Sequence, residues 1–307
     1  MPIAAERMTI RTALLVLAVS LAPRAATGET GILLMAHGGS AEWNARVAEL
    51  AATIDKTMPT EVAFGMATRA NLQAAVDKLV ARRVSDIVAV PLFVSSWSSV
   101  ITSTEFLLGQ RAVAPPALAA FARMSHGSGK GTDPHAGHSP TSAEDGMKPV
   151  TSPVKIRMTP ALNDHPIVAE ILATRAGAIG KEPAGEALVI VAHGPNDEED
   201  NRRWVADLRS LAQQLESKSG YASIDYLTVR DDAPKPVWEQ AKAELRGVVQ
   251  KRTAEGKRVL IVPLLIAFGG IEKGLRDRLE GLTYTMAPSG LMPDERLATW
   301  VLQMAGR

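Results

Sequence analysis

The 307-residue sequence contains no cysteine. Disulfides, thiolate metal centres and cysteine nucleophiles are therefore excluded, and any metal ion must be met by nitrogen and oxygen ligands. Aromatic residues make up only 4% of the chain, too few for the stacking platforms that bind single-stranded nucleic acid. Neither sign of charge dominates, with 34 basic side chains against 33 acidic ones. The basic surplus that marks nucleic-acid-binding proteins is thus missing. The sequence also lacks a Walker-type glycine loop and a Gly-x-Ser-x-Gly elbow, so no nucleotide cofactor and no serine hydrolase chemistry are expected.

Long apolar runs are scarce as well. The most continuous one, Thr12–Ala22, follows Arg7 and Arg11 and leads into Pro23 and a small-residue patch ending at Gly28. It is too short to span a bilayer comfortably, so no permanent membrane anchor is expected. A basic start, an apolar centre and small residues afterwards describe a signal peptide over residues 1–28, which implies a periplasmic or secreted protein. The remaining chain, in a sequence 46% hydrophobic and 22% charged, has the composition of a soluble globular protein of two ordinary domains.

Two stretches organise that remainder. Gly31-Ile32-Leu33-Leu34-Met35-Ala36-His37-Gly38 has a twin in Ala187-Leu188-Val189-Ile190-Val191-Ala192-His193-Gly194. Each is a short run of branched residues ending in Ala-His-Gly and followed by a helical pattern. Such runs fit strands buried on both faces of a parallel sheet. Each histidine then stands just past a strand's carboxyl end, where open α/β sheets place their ligand crevices.

Taken in order, strands are predicted at Ile32–Met35, Val62–Met66 and Asp86–Val94, alternating with helices at Ala41–Met58, Asn71–Arg82 and Ser98–Leu108. Residues 112–153 break the pattern with Pro115-Pro116, several glycines and three histidines, His126, His135 and His138. A long loop is predicted there. A strand at Val154–Met158 and a helix at Asp164–Ile179 follow, and the second half then repeats the alternation of strand and helix. Besides Ala-His-Gly, Thr68-Arg69 pairs with Val229-Arg230, and Val90-Pro91-Leu92-Phe93 with Val262-Pro263-Leu264-Leu265. The plan is an internal duplication with two α/β units, residues 29–182 and 183–307, each built on a parallel sheet.

These motifs, together with Ser95-Ser96 after the third strand and Gly269-Gly270-Ile271-Glu272-Lys273 in the second half, resemble those of the class II chelatases, specifically the sirohydrochlorin cobaltochelatase family. The resemblance runs from about residue 30 to 307 apart from the long loop. It implies tandem flavodoxin-like domains, a tetrapyrrole held in the cleft between them, and insertion of a divalent ion, cobalt or iron, without a nucleotide. An internally duplicated chain of this kind is expected to act as a monomer. Family members commonly place one histidine after the first strand and one after the third. His37 takes the first place; Trp97 stands in the second.

Chelation needs a neutral imidazole that holds a borderline ion such as Co²⁺, Fe²⁺ or Ni²⁺ loosely, and a base that accepts the departing pyrrole protons. His37 and His193 are the metal candidates, each alternatively a helix-capping or carbonyl-bonded side chain. Glu272 is the candidate base, or else a helix-start acid favoured by the dipole. Arg69, Arg230 and Lys273 suit the ring's carboxylates, with Ser95, Ser96, Gly269 and Gly270 forming the adjoining turns. Trp97 can stack on a pigment or fill the absent histidine's space. His126, His135 and His138 either gather metal or belong to an exposed insertion. The leading expectation is a sirohydrochlorin chelatase; the alternative is a noncatalytic periplasmic protein that binds a metal or a tetrapyrrole.

Overall fold

A computed structural model describes residues 28–127 and 143–306. The first half contains β1 (Gly31–Ala36), α1 (Ala41–Asp55), β2 (Thr60–Phe64), α2 (Arg69–Ala81), β3 (Asp86–Pro91), α3 (Ser99–Leu107), α4 (Leu118–Gly127), α5 (Ala143–Gly146), β4 (Lys155–Met158) and α6 (Pro166–Ile179). The second contains β5 (Glu186–Ala192), α7 (Glu198–Ser219), β6 (Ser223–Thr228), α8 (Lys235–Ala254), β7 (Arg258–Leu264), α9 (Ile271–Arg278), β8 (Thr285–Met286) and α10 (Arg296–Ala305).

The strands form two four-stranded parallel sheets, ordered β2-β1-β3-β4 and β6-β5-β7-β8. This is the α/β architecture of tandem parallel sheets expected from the sequence. The central strands β1 and β5 are buried at every residue, the reason their sequences read as unbroken apolar runs. Several helix starts carry side-chain caps that the sequence supplies locally. Ser40 Oγ accepts from Trp43 N at the start of α1, and Asp197 Oδ1 accepts from Asp200 N at the start of α7.

One extended core lies between the two sheets and joins their inner faces through α1, α6, α7 and α10. The outer face of the first sheet packs on α2 and α3, and that of the second on α8 and α9. The final helix of each half crosses over. α6 packs on α7 and β7, and Arg175 on it donates to the carbonyls of Gly290 and Leu291 in the second half. α10 packs on α1 and β3, and Arg157 of β4 donates to its Ala305 carbonyl. The division at residue 182 follows the chain, whereas in space each half receives its partner's last helix.

Two sequence expectations change. Residues 118–127 of the predicted loop form helix α4, because Leu118 and Ala122 make a short buried stripe that the neighbouring prolines and glycines obscure. The pairing of Arg69 with Arg230 is also wrong. Ala36 lies opposite Phe64 and Ala192 opposite Thr228, so Val229 corresponds to Gly65. The connection from β2 to α2 has four residues (65–68) and that from β6 to α8 has six (229–234), so the half that carries Arg230 simply has a longer loop. By contrast, Val90-Pro91 and Val262-Pro263 occupy matching places against Leu34-Met35 and Ile190-Val191.

Candidate functional site

In each sheet the first strand sends its connections to opposite sides, so a crevice opens beyond the carboxyl ends of β1 and β3, and again beyond β5 and β7. The Ala-His-Gly motif turns the chain at that edge. Gly38 and Gly194 have φ of 81° and 76°, left-handed values that swing the backbone from strand toward helix. A Cβ on Gly194 would stand 2.5 Å from the Thr228 side chain, so the turn has no room for another residue.

His37 is exposed, and its Nδ1 lies 2.8 Å from its neighbour's carbonyl, Gly38 O. A carbonyl only accepts, so Nδ1 carries the hydrogen and the neutral ring keeps a lone pair on Nε2. His193 is more enclosed, with 28% of its side chain exposed, and its Nε2 lies 3.3 Å from Asp232 Oδ2. Burial holds its imidazolium form below the ordinary histidine range, although Asp232 and Asp231 pull the other way. A positive charge on His37 would also oppose protonation of His193. Among the described residues no group of three or more His, Asp and Glu side chains is placed to hold a metal ion.

Beneath His193 a buried network fixes the loop after β6. Arg278, 1% exposed, donates to Asp231 Oδ1 at 2.6 Å and to the Val229 carbonyl, and stacks 4.2 Å from the Trp238 ring centroid. Arg230 is buried and donates to Glu198 Oε2 and the Asn196 carbonyl, which pins the turn that follows His193.

The loops after the third strands reach across to the opposite lobe. Trp97 packs against α7, where its Nε1 donates to Asp207 Oδ2 at 3.1 Å. Its carbonyl accepts from Trp204 Nε1 at 2.7 Å, and the Arg203 guanidinium lies 4.9 Å from its ring centroid. In the symmetric position, Gly269 approaches Trp43 of α1, and a Cβ there would lie 3.4 Å from the indole. Ser95 and Ser96 shape the Trp97 loop, Ser95 Oγ accepting from Trp97 N and Ser96 Oγ from Ala161 N.

The structure therefore sets His37 and His193 at the carboxyl ends of the two central strands, the Gly269 turn against α1 and Trp97 in the seam with α7. Other expected residues are engaged elsewhere. Glu272 Oε2 accepts from Gly269 N and Gly270 N and so closes its own turn. Lys273 pairs with Asp277 on an exposed face of α9, and Arg69 donates to the Lys148 carbonyl. Glu105, a second helix-borne acid after Trp97, pairs with Arg111. His126 falls at the end of α4; His135 and His138 lie outside the described residues. Sequence reasoning missed Asp232, Asp207 and Trp43. Aligning the halves on strand register would have exposed Asp231-Asp232 as the extra acidic pair of a lengthened strand-end loop.

Comparison with known proteins bears on the same elements. No curated protein matches the sequence. Among solved structures, SirB from Bacillus subtilis with Fe³⁺ superposes with a TM-score of 0.59 at 14% identity, covering 91% of this chain and 96% of that one. DR2241 from Deinococcus radiodurans, a multi-domain protein described as structurally similar to chelatases with two additional novel domains, superposes with a TM-score of 0.52 at 18% identity. That match covers 91% of this chain but 55% of DR2241, so the chain spans about half the length of that relative. At these identities the likeness is one of fold. The sequence signal lies in the first half, where residues 31–178 match the model of the CbiX family, so that the lobe carrying His37 is similar to a CbiX domain within a chelatase-like two-lobed fold.

Proposed function

We propose that the protein is a metal chelatase that transfers a divalent ion into a tetrapyrrole such as sirohydrochlorin bound between the lobes. The observation that carries this reading is the pair of histidines that each stand just past the carboxyl end of a central buried strand, β1 and β5. The similarity of residues 31–178 to the CbiX family supports it. The substrate ion, cobalt, iron or nickel, meets the free Nε2 lone pair of His37, a borderline ligand that suits all three. His193, kept neutral by its surroundings, accepts protons from the pyrrole nitrogens while Asp232 steadies its ring. The amino-terminal pattern adds that the enzyme works outside the cytoplasm, which cell fractionation of the native protein tests.

Incubation of purified protein with sirohydrochlorin and Co²⁺, Fe²⁺ or Ni²⁺ tests the reaction through the change in pigment absorbance. The expected result is turnover above the uncatalysed rate that falls in His37→Ala. One observation favours a second reading: the place where the family resemblance calls for a second histidine is held by Trp97, fastened into the seam. Tight metal or pigment binding without turnover would therefore identify a noncatalytic tetrapyrrole- or metal-binding protein.

A further inference from the structure

Two buried arginines are nested around the His193 turn. Arg230 grips that turn at both ends: its own N–H donates to the His193 carbonyl at 2.7 Å, and its guanidinium donates to the Asn196 carbonyl at 2.7 Å. Arg278, on α9, grips the residues on either side of Arg230, donating to the Val229 carbonyl and to Asp231 Oδ1, each at 2.6 Å. Between these grips Arg230 keeps a φ of 49°, a left-handed value that a non-glycine residue holds only where its surroundings impose it. Ala233 N donates to the Arg230 carbonyl at 3.0 Å and closes the turn that presents Asp232. Asp232 is itself exposed, yet its Oδ2 stands 3.3 Å from His193 Nε2. Its place is set by the bonds of its neighbours.

The first lobe has the same frame without the clamp. Gly65 N donates to the Ala36 carbonyl as Val229 N does to that of Ala192, so the halves agree up to the strand end. One residue later they differ: among the described residues no backbone N–H reaches the His37 carbonyl. Burying a guanidinium as fully as Arg278 is costly, so its retention calls for a use beyond pairing with Asp231. A lysine could supply the same charge, but only the planar fork reaches a carbonyl and a carboxylate together in fixed directions. We propose that Arg278 is a positioning residue for His193: through the Arg230 turn it holds Asp232 against the imidazole and so fixes which ring nitrogen is left free. A carboxylate only accepts, so Asp232 held there keeps the hydrogen of the neutral ring on Nε2 and the lone pair on Nδ1. The consequence for turnover rests on the chelatase reading, in which His193 accepts the pyrrole protons; the positioning itself does not.

Ring-nitrogen magnetic resonance of the isotopically labelled protein at about pH 8, where an ordinary histidine is neutral, reads the tautomer with no protonation step involved. The His193 signals are those lost in His193→Gln. The native ring should show one tautomer, with hydrogen on Nε2. Arg278→Lys, which keeps the charge and loses the fork, should return the ring to the averaged mixture of a free imidazole, as should Asp232→Asn. With sirohydrochlorin and Co²⁺, Arg278→Lys should lose about tenfold in kcat with KM little changed, and adding Asp232→Asn should cost little more, because both act through one contact. A ring that keeps its native tautomer in Arg278→Lys, or losses that multiply in the double variant, would overturn the proposal. A tautomer altered as expected in a protein that shows no turnover even unmodified would uphold the positioning and remove the chelatase reading. If Arg278→Lys fails to fold, Asp231→Ala breaks the same ion pair from its half-buried side and should give the same mixture; a native ring there overturns the proposal equally.

Discussion

In the first lobe the strand-end histidine rests on a backbone carbonyl; in the second it rests on a carboxylate. The two rings thus present opposite nitrogens. His37 has its lone pair on Nε2, while His193 turns its Nε2 toward Asp232. The cause is two residues of loop. Lengthening the connection after β6 brings Asp232 to His193 and Asp231 to Arg278, and the shorter connection after β2 leaves His37 with neither. Duplication copied the strand and the turn but not the electrostatics, so a shared motif does not entail a shared role.

Removing what the second lobe alone possesses should have the largest effect. Arg278→Met leaves Asp231 without its guanidinium and the Val229 carbonyl without its donor, and should lower unfolding free energy by about 3 kcal/mol in a chemical denaturation series. A loss confined to a few tenths would show that the network is dispensable and the comparison superficial. Next comes His37→Ala, which should reduce pigment metallation roughly a hundredfold with the melting temperature little changed, since the ring is exposed. Asp232→Asn sharpens the contrast: loss of the orienting carboxylate should slow turnover about tenfold, an effect no substitution beside His37 can reproduce.

The pH dependence of stability supplies a subtler test, because two groups have opposite signs. His193 has its folded value depressed, so its contribution is present above the ordinary histidine range and is lost as pH falls through that depressed value. Asp207 has its folded value raised to about 6, so its contribution is complete below the ordinary carboxyl value and is lost as pH rises through 6. Between neutral and mildly acidic pH, melting temperatures of Asp207→Asn should lose the gain on acidification, and those of His193→Gln should lose the penalty. The smallest effect belongs to Lys273→Ala: both partners of its pair with Asp277 are solvated, and neither the melting temperature nor metallation should move.

Much of the architecture was legible because burial on both faces leaves an unmistakable composition. β1, β3, β5 and β7 are apolar almost throughout, and helices alternate with them. The destination of α6 and α10 was not legible. Their buried stripes, such as Ile167, Val168, Ile171 and Leu172, announce that something covers them without saying which sheet does. At the site, His37 and His193 stood out because a motif repeated around them. Asp232 did not, since an acid in a Pro-containing loop is ordinary until register shows the loop to be too long. Trp97 was visible as a departure from a pattern, but its attachment to Asp207 and Trp204, more than a hundred positions away, is a tertiary fact with no local signature.

The crossed final helices bear on how this chain can be made. The interior beside β1 and β3 is completed by residues 296–305 of the second half, including the fully buried Trp300. A nascent first half must wait, its inner surface open, until the helix of residues 296–305 has been made. Neither half is a transplantable module, and deletion of residues 296–305 would strip the cover from the opposite lobe.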